Sequence, residues 1–244
     1  MIRYARVSLT VLLMGTAAPL HAVSLDEIDL SYKKSKTVEQ LRKIESQVLE
    51  SIGNSPSSDE WTWRMARIYF DLGKRSKGDV KEKFFARCLE LTRKTLQLNQ
   101  NSAYGYFFNG LCTGKWAEVQ GIWDSLGNIN PMITDMEAAI KIDPSVDHGG
   151  PHRFLGRLYY ELPFILGGSL GKSADHLKKA VQYGPRYGEN YLFLAETYYS
   201  RGEYKLAQEA ILELLNVTRA SQADIDTHQL RVRARDLLKE IETD

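Results

Sequence analysis

Between Tyr187 and Ser221 the apolar positions fall into two helical stripes separated by a glycine. Tyr191, Leu194, Ala195 and Tyr198 recur at i, i+3, i+4 and i+7, one face of an α-helix. Pro185 stops whatever helix precedes them, and Gly202 supplies the permissive backbone that a tight helix–helix turn needs. Ala207, Ile211, Leu214 and Leu215 then form a second stripe on a second helix. A helix pair of this kind cannot bury both of its faces alone, so it predicts neighbours stacked against it.

Weaker copies precede it. One opens near Asp59, with Met65, Ala66, Tyr69 and Gly73 followed by Cys88, Thr92, Thr95, Leu96 and Leu98; about ten Lys-rich residues between its two stripes are expected to be exposed. A second has Tyr106 and Gly110, a Trp/Gly-rich tract from Gly114 to Trp123, then Met132, Met136, Ala139, Ile140, Ile142 and Pro144. A third has His152, Leu155, Gly156 and Tyr159, then Ser173, Leu177, Ala180, Val181, Tyr183 and Pro185. Type, order and spacing resemble the tetratricopeptide (TPR) consensus. The steps are irregular: 34 residues from Pro185 to Arg219, 41 from Pro144 to Pro185 and 44 from Gln100 to Pro144, with the excess placed between helices. The reading is an all-α, TPR-like solenoid of four irregular helix pairs over residues 59–221. An amphipathic helix from Val38 to Ile52 precedes it within 23–58, where 23–36 gives no clear element, and a capping helix lies in 222–244.

Residues 1–22 read as a cleavable secretory signal: Arg3 and Arg6, an apolar run from Val7 to Leu20, and Leu20-His21-Ala22 as a cleavage site. The alternative is an uncleaved anchor, although the run is too short for a permanent span. No cysteine precedes Cys88, so no lipobox is present and the expected location is periplasmic without a lipid tether. The chain carries 32 Lys and Arg against 31 Asp and Glu, 30 against 31 without Arg3 and Arg6. That balance gives no support to a nucleic-acid or acidic-membrane partner. In an oxidising compartment Cys88 and Cys112 either pair or remain two buried thiols.

Enzymatic chemistry finds little foothold. Gly167-Gly168-Ser169-Leu170-Gly171-Lys172-Ser173 resembles a phosphate-binding loop, but Leu166 stands where its first glycine would be and a helix precedes it rather than a strand. His148, His152 and His176 would need to converge with a third ligand to hold a metal, and Gly149-Gly150-Pro151 breaks the helix that would align the first two. No nucleophile–base arrangement is legible. The expectation is a non-enzyme with no cofactor and no metal.

Binding is the better prospect. In TPR proteins a second stripe on the first helix of each pair lines a concave groove. By that resemblance the groove residues here are Trp63, Arg67 and Phe70, Tyr104 and Phe107, Arg153, Arg157 and Tyr160, and Glu196 and Tyr199, with Glu60, Leu111, Glu189 and Leu192 beside them. Aromatic and Arg side chains are the types that dominate binding hot spots, and Arg can hold a carboxylate bidentately. Either this surface is an open groove, or inserted loops and end helices cover it as ordinary core.

Around Asp147-His148-Gly149-Gly150-Pro151-His152-Arg153-Phe154-Leu155-Gly156-Arg157, Pro163 and Gly167-Gly168 the chain resembles something narrower, the T-component (TatT-like) family associated with tripartite ATP-independent periplasmic (TRAP) transporters. Gly110-Leu111-Cys112, Gly114-Lys115-Trp116 and Asn190-Tyr191-Leu192-Phe193-Leu194-Ala195-Glu196 fit the same resemblance, which spans roughly residues 60–215. It implies a periplasmic accessory protein that docks a solute-binding protein of a transporter for organic acids or other hydrophobic ligands. It also implies a homo-trimer with a ligand-accessible channel in some members. The family's type member is a lipoprotein, a feature this chain lacks. The alternative is a general TPR scaffold that binds a peptide segment of a cell-envelope complex.

Overall fold

The computed structural model describes residues 23–54, 58–121, 126–219 and 225–243; the leader, the turn cluster at 55–57 and Trp123 lie outside them. Among the described residues there are eleven α-helices, one 3₁₀ turn and no strand. They are α1 (Leu25–Lys34), α2 (Val38–Asn54), α3 (Asp59–Lys74), α4 (Gly78–Leu98), α5 (Ala103–Gln120), α6 (Ile129–Ile142), α7 (Val146–Glu161), the 3₁₀ turn Phe164–Leu166, α8 (Leu170–Tyr183), α9 (Gly188–Ser200), α10 (Tyr204–Val217) and α11 (Ile225–Thr243). The expected pairs are α3/α4, α5/α6, α7/α8 and α9/α10, each packed on the next. The first helices of successive pairs also touch one another, which is what gives a TPR stack its concave side.

Three apolar clusters run along the stack. Ile28, Leu41, Val48, Met65, Leu72 and Cys88 join α1–α4. Phe107, Phe108, Met136, Ala139, Val146 and Leu155 fill the middle. Leu192, Ile211, Leu214, Ala234 and Leu237 bind α11 to the last pair. Each large buried aliphatic removes enough apolar surface from water to contribute roughly 1.5–3 kcal/mol. Cys88 and Cys112 form a disulfide from α4 to α5, with Cα atoms 6.0 Å apart.

Three expectations change. Residues 23–36 are not featureless: Ser24 and Glu27 make a reciprocal capping box that starts α1. The Lys-rich stretch before Cys88 is not a loop, because α4 begins at Gly78 and buries Phe84 and Phe85. Its lysines form the outer face of a helix whose inner face packs on α3. Leu192, expected in the groove, is fully buried beneath α11.

The Gly-Gly segments are structural. Asp147, His148 and Gly149 have φ of 48°, 59° and 78°, a left-handed turn at the start of α7 that Pro151 can follow without breaking the helix. Left-handed backbone costs a non-glycine residue about 1–2 kcal/mol. In the loop after α7, a Cβ on Gly168 would lie 1.7 Å from the Leu162 carbonyl oxygen, so only glycine fits. Ser169 then caps α8 by accepting the Lys172 N–H at 3.3 Å. Gly150 and Gly156 give close approach to Phe107 and Leu177.

The disulfide closes a segment with a sequence separation of 24. Replacing Cys88 and Cys112 together by Ala is expected to cost about 3 kcal/mol. That corresponds to roughly 6–12 °C in Tm for a chain of this size, read by circular dichroism with the folded helical signal unchanged.

Candidate binding cleft

A concave cleft of about 830 Å³ lies where the first helices of the pairs present their N-terminal ends. Its walls come from α1, α3, the starts of α5, α7 and α9, and α11. Trp63 on α3 stacks on Tyr104 at the start of α5, centroids 4.1 Å apart and planes within 6°. Its indole N–H donates to Glu60 at 3.1 Å. On the opposite side His148 stacks on Tyr187, centroids 5.1 Å apart.

The arginines are engaged. Arg64 donates to both oxygens of Asp29 and, through Nη1, to Glu60 at 2.6 Å. Arg67 donates to Asp29 at 2.6 Å and lies 3.8 Å over the Tyr32 ring. Burial alone would raise the Asp29 carboxyl, but hydrogen bonds from Arg64 and then Arg67 outweigh it and hold it below the usual range. Tyr32 donates to Asp71 at 2.5 Å; burial first, then that carboxylate, pushes its phenol well above the ordinary value. Arg67 Nε is buried without a hydrogen-bond partner.

Arg153 is only 8% exposed, so it is a girder rather than a groove residue. It donates to the Asp147 carboxylate at 2.6 Å and the Asp147 carbonyl at 3.1 Å, pairs with Glu189 at 3.2 Å, and reaches Asn190 Oδ1 at 3.2 Å. Its guanidinium lies 4.4 Å from the centre of the Tyr187 ring. Asn190 donates in turn to the His148 carbonyl at 3.0 Å and the Ala180 carbonyl at 2.8 Å. These bonds hold the left-handed turn in place and aim Asp147 and His148 at the cleft. Backbone strain that the surroundings over-determine in this way is a common mark of a functional site.

Arg153 apart, the expected groove residues separate into three groups. Trp63, Arg67 and Tyr104 line the main cleft. Arg157, Tyr160, Glu196 and Tyr199 line a second hollow of about 420 Å³ against α11, where Glu196 bridges Arg157 at 2.7 Å and Arg233 at 2.5 Å. Phe70 and Phe107 belong to the interior, tilted against Phe85 and Phe108. The family-motif residues Gly149, Gly150, Pro151, Gly156, Pro163, Gly167 and Gly168 shape turns and contacts around α7 and line neither hollow. Asp29, Tyr32, Arg64, Asp147 and Tyr187 are cleft residues that the repeat template does not reach. The Ser24–Glu27 spacing is the signal that would have exposed the first two.

His152 and His176 face each other, with Nδ1 atoms 3.0 Å apart, and His152 stacks on Tyr183. His148 turns away to Tyr187, and among the described residues no three His, Cys, Asp or Glu side chains converge as metal ligands. Burial first, then the neighbouring imidazole, depresses His152 to about 4. Asp135, hydrogen-bonded by Asn109 at 2.8 Å, is raised to about 6 by burial. No described helix is long and apolar enough to cross a membrane.

Comparisons with known proteins agree with this architecture. Residues 24–163 match the family model described as regulator of microtubule dynamics protein 1-3, more than half of the chain. No curated protein matches the sequence. Among solved structures, the thermophilic TPR protein TTC0263 of Thermus thermophilus superposes with a TM-score of 0.67 at 19% identity, covering 88% of this chain and 96% of its own. PilW, described as a widely conserved type IV pilus biogenesis factor, gives 0.57 at 15% identity over 90% and 89%. MamA gives 0.51 at 16% identity over 83% and 100%. At these identities the likeness shows the fold.

Two outcomes follow from the geometry. Arg153→Ala leaves the partly exposed Asp147 carboxylate and the strained turn without their clamp and is expected to cost about 1.5–3 kcal/mol. Arg157→Ala, at the edge of the second hollow, costs under about 1 kcal/mol, both read by denaturant unfolding. A histidine whose folded pKa is depressed contributes stability that is complete above its unfolded value of 6.5 and is lost as pH falls toward 4. Asp135, raised above 3.8, acts with the opposite sign between 3.8 and 6. The two are separated by difference: His152→Phe should lose on the order of 2–3 kcal/mol less than the unaltered chain between pH 7 and pH 4.5.

Proposed function

We propose a function from the premise that the chain belongs to the regulator of microtubule dynamics protein 1-3 family: it is a non-enzymatic TPR-like interaction protein that holds a partner segment in the cleft between α3 and α9. The observation that carries it is the cleft of about 830 Å³, walled by Trp63, Tyr104, Tyr187 and His148 and shaped by a strained turn clamped from beneath. Stacked rings at a preorganised concave surface bind a chain segment with little ordering cost.

The finer reading is a periplasmic accessory protein that docks the solute-binding protein of a TRAP-type transporter. The leader pattern of residues 1–22, the resemblance around Gly149-Gly150-Pro151 and the Cys88–Cys112 disulfide, a bond favoured in oxidising compartments, support it. The alternative partner is a segment of a cell-envelope complex; the fold neighbour PilW is itself a type IV pilus biogenesis factor.

The test is site-specific photo-crosslinking in the native cells, with a benzophenone amino acid at His148 or Arg186 on the cleft and at Lys94 on an exposed outer face. A partner captured from the two cleft positions and not from Lys94 is expected. Capture from Lys94 alone overturns the cleft as the binding surface. Identification of the captured protein separates a TRAP solute-binding protein from an envelope component.

A further inference from the structure

The Asp29 ion pairs have the form of a ligand bound to its own receptor. Arg64 grips both carboxylate oxygens with three hydrogen bonds from Nε and Nη2, and Arg67 adds a fourth. Such forked recognition is the strong form of a carboxylate contact. Arg64 and Arg67 sit on α3 and line the cleft, whereas Asp29 arrives from α1, outside the four pairs.

Beyond these ion pairs α1 has few anchors. Ile28 is its one fully buried side chain, Tyr32 packs partly buried beneath Arg67 and donates to Asp71, and Leu30 is 53% exposed. The connection to α2 is only Ser35–Thr37, and Lys36 meets Asp226 of α11 at 3.8 Å between exposed side chains. Arg67 Nε, buried and without an acceptor, shows that Asp29 does not exhaust the donors at this point.

We infer that Arg64 and Arg67 form a carboxylate-recognition subsite at one end of the cleft, that α1 is its resident intramolecular occupant, and that a protein partner enters by displacing α1. The partner this fits carries an Asp or Glu one helical turn from an aromatic residue, the arrangement that Asp29 and Tyr32 present on α1. The inference deepens the proposed cleft reading by giving the partner's chemistry and the element that controls access. Displacement replaces one carboxylate by another, so neither arginine is left buried and unpaired at the end.

The experiment uses the full chain and its Asp29→Asn variant, with a fluorescent peptide of residues 23–36 as probe and the same peptide bearing Asn at position 29 as control. Asp29→Asn keeps the side chain's shape while removing its charge. In the variant, amide exchange across α1 should quicken at least 10-fold while α3–α10 keep their protection. The variant should also bind the probe at least 10-fold more tightly than the unaltered chain does. The control peptide should lose at least 10-fold in affinity for the variant. Unchanged exchange in α1, or equal binding of probe and control, overturns the inference. Arg64→Lys in the Asp29→Asn background, which keeps the charge and loses the fork, should weaken the probe; no change there also overturns it. The peptide assay does not depend on the native partner. Crosslinking that fails at His148 and Arg186 while peptide exchange succeeds would therefore remove the cleft reading and leave the subsite standing.

Discussion

The arrangement around the cleft depends on Arg153. A buried guanidinium is costly to desolvate, and it is tolerated here because every direction it faces offers an acceptor or a ring: Asp147, Glu189, Asn190 and Tyr187. Those partners belong to the starts of two successive repeats, α7 and α9. One side chain therefore fixes the spacing of adjacent units and holds three left-handed residues that would otherwise relax. Asn190 repeats the device at backbone level by tying the His148 carbonyl to α8 through Ala180. The wall formed by the starts of α7 and α9 is held in place because the strain beneath it is balanced locally.

The fold was legible where one repeat keeps strict spacing. From Tyr187 onward the stripes, Gly202 and the preceding Pro185 agree with each other, and α9 and α10 follow them. Legibility failed where a helix is longer than its template. The N-terminal half of α4 is rich in lysine and invites a loop reading, yet Phe84 and Phe85 sit on the face that packs on α3. It failed again at α1, whose buried face amounts to Ile28 and part of Tyr32 and whose polar contacts lie far away in sequence. Periodicity detects apolar stripes; it does not detect a helix held by ion pairs to residues 35 and 38 positions away.

The groove template succeeded in part for a related reason. It assumes that first-helix side chains on the concave side meet solvent, and at Trp63, Arg67 and Tyr104 they do line a hollow. It breaks down at Phe107 and Leu192, where neighbouring helices, α11 for Leu192, cover them. It could not anticipate that the arginines are already paired within the chain, since Asp29, Glu60, Asp147 and Glu189 supply the carboxylates that a ligand was expected to bring.

This internal pairing decides what sort of recognition the cleft can perform. Lys33, Lys36, Arg64, Arg67 and Arg186 on its lining face Asp29, Glu60, Asp147, Glu189 and Asp226, so the opposing charges balance. A balanced lining creates little long-range field, and exposed pairs at its edge are screened over about 8–10 Å. Attraction from a distance therefore contributes little, and a partner must gain its affinity by exchange: ring for ring against Tyr104 and Tyr187, carboxylate for carboxylate at α3. Exchange favours a segment that reproduces the spacing already present over one that merely carries charge. The meeting of the α1–α2 connection and α11 at Lys36 and Asp226 sharpens that selection, because elements from opposite ends of the stack approach each other across the mouth. A partner that cannot compete for both the ion pairs and the stacked rings finds the mouth occupied, which makes specificity a property of displacement and not of an open surface.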